Sequence, residues 1–236
     1  MGLMITQASL RGDALAAHLV TELDKRSPEL REVLCERHLL PRPFPVTWLV
    51  DEQLMDRLYP PRLMASGEMD LPIDPLERDN VLRELLPDLR RFAAAGVFTR
   101  LGRTAGLQHH FPELPPFAGA PVVALCPARL EQIWELSIDL PEQWELADVA
   151  ELVWMHELLH AAHGVASTGA AGKRSEEALV QIALAHVLAS HPRGTRLYQV
   201  MTTLAERQPP HYRSFLVDEL GVRAWTVRRL TEGALR

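Results

Sequence analysis

The chain has 236 residues, 47% hydrophobic and 24% charged, with a formal net charge of −6. These proportions exclude a largely disordered protein and suit a folded chain long enough to bury a core without disulfides. The acidic balance, spread along the sequence, argues against nucleic acid as a partner, and two distant cysteines, Cys35 and Cys126, outline no disulfide framework.

From the N-terminus, Leu15, Ala16, Leu19, Val20 and Leu23 recur at helical spacing after Gly12-Asp13 and predict a first helix. Ser27-Pro28 reads as an N-cap followed by proline at the first helical position, opening a second helix with Leu30, Val33 and Leu34 inside. Pro41, Pro43 and Pro45 stop it. Val46 to Val50 reads as a short strand, and Asp51 as the cap of a helix running to Tyr59. Loop is expected from Gly67 to Pro75. Asp74-Pro75 then opens a helix carrying Val81, Leu82, Leu85, Leu86 and Leu89, which Pro87 kinks or divides. Residues 102–121, rich in Gly, Pro and His, read as loop.

The clearest strand is Val122 to Cys126, short, apolar and fenced by Pro121 and Pro127. A helical pattern runs from Asp148 to His163 and ends at Gly164. A loop over 164–174 leads to Ser175 as an N-cap, and Glu176 to Ser190 is apolar nearly all round, the mark of a buried helix. Further helices are expected around 195–207, 212–220 and 222–230. Arg11 and Asp13 interrupt the N-terminal segment before a signal-peptide core forms. No stretch reaches the roughly 18 apolar residues of a membrane-spanning helix. The expectation is a cytoplasmic protein with no membrane partner, α+β in class, mostly helical with a small sheet.

Chemistry concentrates in Leu152 to Gly164, which contains His156-Glu157-Leu158-Leu159-His160. Positions i and i+4 share a helix face, so His156 and His160 can aim two imidazoles at one point and bind a metal. Glu157, offset by one residue, can reach a metal-bound water and take its proton. A third protein ligand is needed. Glu177, 17 positions past His160 after a turning loop, is the choice, with Glu176 as the alternative. The helix dipole would also favour acids at that helix start without any metal.

The segment His156 to His160 followed by Glu177-Ala178 resembles the zincin metallopeptidases, and within them the thermolysin-like gluzincin branch. The resemblance implies Zn2+ held by His156, His160 and Glu177, with Glu157 as general base. Gln181 stands where the thermolysin pattern has an aspartate bracing the first histidine. The strand at 121–126 would be the edge along which an extended peptide lies. The metzincin pattern fails, because His163 and Ala166 stand where it needs glycine and histidine.

The sequence therefore predicts an N-terminal, mainly helical part over 1–100 and a zincin-like metallopeptidase domain over 101–236, hydrolysing an intracellular protein or peptide. Two other classes compete. Two histidines and a carboxylate also form the facial triad of non-haem iron enzymes, a reading that leaves Glu157 without a task. A non-catalytic interaction protein with a structural zinc would instead close its site with four ligands.

Overall fold

A computed structural model of the chain describes residues 4–7, 10, 12–36, 45–58, 95–99, 122–135, 144–163 and 170–206. The helices expected near 74–89, 212–220 and 222–230, and the loop at 102–121, lie outside the described residues.

The first strand, β1 (Met4–Gln7), leads into α1 (Ala14–Glu36), whose start is capped by Asp13: its Oδ1 accepts the Ala16 N–H at 2.9 Å. The break expected at Ser27-Pro28 does not occur, and one helix runs through Pro28. A proline inside a helix removes one backbone hydrogen bond and costs about 3 kcal/mol. Here the buried stripe of Leu19, Leu23, Leu30 and Leu34 continues in phase across it, and Arg26 is anchored to another helix beside it. Tertiary burial outweighs the local stop signal.

Strand β2 (Val46–Leu49) and helix α2 (Glu52–Leu58) follow the sequence reading. Asp51 Oδ1 accepts the Leu54 N–H at 2.8 Å, so the cap forms as expected. Strand β3 (Gly96–Thr99) was not foreseen, nor was β1; at four residues each, neither carries a readable alternation. Strand β4 (Val122–Leu125) is followed at once by α3 (Pro127–Glu135). The sequence reading took Pro127 as a strand stop, but it is the first residue of a helix, where its missing N–H has no consequence.

Helix α4 (Leu146–His163) precedes α5 (Ala170–Leu188) and α6 (Gly194–Glu206). Helix α5 begins before Ser175, the residue expected to cap it, which shortens the expected loop.

Among the described residues the fold is mostly helical, with one small mixed sheet of strand order β1-β2-β4-β3. β1, β2 and β4 are parallel, with Val46 opposite Val122, and β3 runs antiparallel beside β4, with Gly96 opposite Leu125. Both faces are covered, as parallel sheets require. Leu49, Val123 and Leu125 pack with α1, α4 and α5, while Trp48, Val122 and Ala124 pack with Leu54, Met55 and Leu58 of α2. α4 is buried along most of its length and is pinned to the sheet by the indole N–H of Trp154, which donates to Thr47 Oγ1 at 2.8 Å. No described helix is long and apolar enough to cross a membrane.

Candidate metal centre

His156 and His160 sit one turn apart on α4, and α5 brings Glu177 against both. The two Nε2 atoms are 3.0 Å apart, and Glu177 Oε2 lies 3.2 Å from that of His156 and 3.3 Å from that of His160. Three lone-pair-bearing atoms thus converge on one point. The site is largely closed to solvent, with side-chain exposures of 14%, 9% and 9%. The sequence put these three residues forward, and the fold brings them together as a group able to hold a metal ion. The side chain of Glu176 lies outside the described residues, as does that of His163.

The spacing tests what the group fits. Bonds of about 2.1 Å meeting at right angles place donor atoms about 3.0 Å apart, and at the tetrahedral angle about 3.4 Å apart. The observed separations, 3.0, 3.2 and 3.3 Å, fall within the range those two geometries span, so the three donors can share one metal ion. Burial would raise the Glu177 carboxyl, but the neighbouring His160 and His156 outweigh it and hold it well below the usual carboxylate range. Glu177 therefore supplies a fixed negative charge to the donor set.

Glu157 lies next to the triad and interacts electrostatically with all three of its residues. Its carboxyl is buried beneath β3, where it accepts a hydrogen bond from the backbone N–H of Phe98. Gly96 permits that approach: a Cβ there would fall 2.6 Å from Val153 Cγ1 and 2.9 Å from Glu157 Cγ. Burial pushes the Glu157 carboxyl up, against the pull of His156 and His160. Nothing in the sequence marked Gly96 or Phe98, since contacts between a short strand and a distant helix leave no local pattern.

Elsewhere in the described residues, Tyr198 is exposed on α6, and Cys126 is a buried thiol pushed up to about 11 by desolvation, hence protonated.

These findings correct the zincin resemblance while leaving His156, His160 and Glu177 together as one donor group. The structure supports a largely buried 2-His-1-carboxylate triad whose members are divided between two helices, the donor set of non-haem iron sites. Zn2+, the gluzincin peptidase and its hydrolase chemistry fall with that correction. So does the peptide-binding edge: β4 is paired on both sides, with β2 and with β3, and offers no free edge to a substrate. Among the described residues three donors converge, where a closed structural-zinc shell takes four. No known protein family, curated protein or solved structure matches this chain.

Proposed function

We propose that this chain is a non-haem iron enzyme whose ferrous ion is held by His156, His160 and Glu177. The observation that carries this reading is the convergence of their donor atoms at 3.0, 3.2 and 3.3 Å in a nearly closed pocket between α4 and α5. A ferrous ion bound there supplies redox chemistry at the coordination positions that the protein leaves open.

The chain's own residues have distinct tasks in this reading. His156 and His160 would supply the two imidazole donors, and Glu177 the carboxylate. Glu157 stands beside the centre as the group able to exchange a proton, its carboxyl kept in place by the Phe98 N–H and by the close passage of β3 at Gly96. Burial of Glu157, His160 and Glu177 limits the access of bulk water, while His156 keeps 14% of its side chain exposed.

The division near residue 100 is kept as an organisational proposal, with β1, α1 and β2 of the first part forming the support on which α4 of the second part rests. The cytoplasm is the proposed location: a reducing compartment suits a ferrous ion and the free thiols of Cys35 and Cys126. The peptide substrate was tied to hydrolysis and is not carried over.

The test is metal analysis of protein purified without oxygen. Iron is expected at one equivalent per chain, abolished by His156→Ala or His160→Ala. Glu177→Ala should weaken binding by about 10-fold or more, because a ligand matters at least as much as the groups that orient ligands. Full iron occupancy in the double histidine variant, or stoichiometric zinc in a four-donor shell, would overturn the assignment.

A further inference from the structure

Helices α4 and α5 meet at two polar joints. At the first, Glu177 and, one turn later, the Gln181 carboxamide stand 3.2 and 3.4 Å from the His156 ring. The second lies further back on α4, where Glu151 meets the turn that follows α5. There Arg193 Nη2 donates to Glu151 Oε1 at 2.6 Å, and His191 Nε2 lies 3.3 Å from the same oxygen. The two helices therefore run antiparallel. Glu151 Oε2 accepts from Arg26 of α1 at 3.0 Å, and the side chains of Glu151 and His191 are fully buried. With its two oxygens committed to different elements, Glu151 cannot follow a displaced turn without leaving Arg26.

The turn is tied to α5 just as firmly. The N–H groups of Ser190 and His191 donate to the Val187 and Leu188 carbonyls, each at 3.1 Å, and the Arg193 N–H donates to His191 Nδ1 at 3.2 Å. A Cβ at Gly194 would strike the Leu188 carbonyl oxygen, so the chain folds back on the end of α5 without slack. Any movement of His191 and Arg193 is thus passed to α5. A metal centre needs its donors within about 0.5 Å of their working positions, a third of the rise of about 1.5 Å per helical residue. Val180, Ala183, Leu184 and Val187 bury α5 in the core, but hydrophobic attraction has no direction of its own. A guanidinium on a buried carboxylate does. The Glu151 joint supplies the axial register that apolar burial leaves loose.

We propose that His191 and Arg193 are positioning residues of the metal centre. By holding Glu151 they set where α5 lies along α4, and with it the reach of Glu177 to His156 and His160. This rests on the reading of the triad as a metal centre.

The test uses the full chain with Fe(II) added without oxygen, and with Co(II) as a probe whose visible absorption bands report coordination geometry. Arg193→Met should weaken Fe(II) binding about 2–30-fold, the range of coupling through packed networks, and should shift the Co(II) bands. His191→Leu should do the same. Arg193→Lys, which restores a cation facing Glu151, should recover most of both. Arg26 stays on Glu151 in each variant, so none leaves the carboxylate alone. Met55→Ala, which opens a cavity on the far face of the sheet, is the control. It should lower stability in urea and leave affinity and bands unchanged. Unchanged affinity and bands in Arg193→Met and His191→Leu, in a chain whose wild type binds iron, overturn this proposal alone. So does a loss that Met55→Ala matches, or one that Arg193→Lys does not repair. Wild-type protein that takes up neither ion overturns the centre and the proposal together.

Discussion

At Gly96 the backbone of β3 passes so close to α4 that no side chain fits between them. Gly96→Ala would drive a methyl into Val153 and the Glu157 side chain, and overpacking of this kind costs about 1–3 kcal/mol. Urea unfolding should show that loss, and a variant as stable as the wild type would mean that β3 yields. Glu157 itself makes a separate prediction. Its folded carboxyl is raised by burial, so its favourable contribution is complete below the unfolded value and disappears as pH rises through the folded one. Glu157→Gln removes the group that must ionise. The metal-free variant should therefore gain stability over the wild type as pH is raised from 4 to 8. A constant difference across that range would show that Glu157 is not shifted.

The helices are held to one another by a buried ionic network as well as by apolar packing. Arg26 of α1 reaches Asp148 and Glu151 of α4 at 2.9 and 3.0 Å, and Arg193, just before α6, meets Glu151 at 2.6 Å. Glu151 is fully buried, and His191 lies 3.3 Å from it. Arg26→Met leaves Glu151 with Arg193 and Asp148 with Arg196, so it should destabilise by less than the roughly 3–5 kcal/mol of a buried charge left wholly unpaired. The network also sets an acid limit. Burial would raise the Glu151 carboxyl, but His191 and Arg193 together bring it below its usual value. A lowered carboxylate contributes in full above its unfolded pKa, and that contribution is lost as pH falls through the folded one. Unfolding free energy should therefore decline on acidification below about 4.5. The decline should be shallower in Glu151→Gln, as urea titrations across that range would show.

At the scale of the whole molecule, α4 is the common element: it packs on β3, β4, α1, α3, α5 and α6, and it carries two of the three triad residues. Anything bound at the triad therefore acts on the whole fold. A ligand at 100 times its Kd adds about 2.7 kcal/mol, and each kcal/mol moves the midpoint of a chain this size by about 2–4 °C. Chelation should lower Tm by roughly 5–10 °C on that arithmetic. The double variant His156→Ala/His160→Ala should be insensitive to chelator. A wild-type midpoint unmoved by chelation would uncouple the site from the fold.

Local chemistry was legible wherever one segment contains the whole signal. The i, i+4 histidines of α4, the Asp51 cap and the apolar runs of β2 and β4 each depend on neighbours in sequence and could be read without a fold. Glu177 and Gln181 were visible as candidates, but the sequence could not separate a donor from an ordinary acid at a helix start. Tertiary structure decided the rest, because the deciding contacts join residues far apart in the chain. Pro28 remains inside a helix because Arg26 and the leucine stripe dock on other elements. β3 exists because β4 pairs with it, and Glu157 turns to the Phe98 N–H because Gly96 lets that strand approach. The same holds for the metal: a His-Glu-x-x-His segment states which side chains share a helix face, whereas only the packing of α5 on α4 brings Glu177 to them as a third donor.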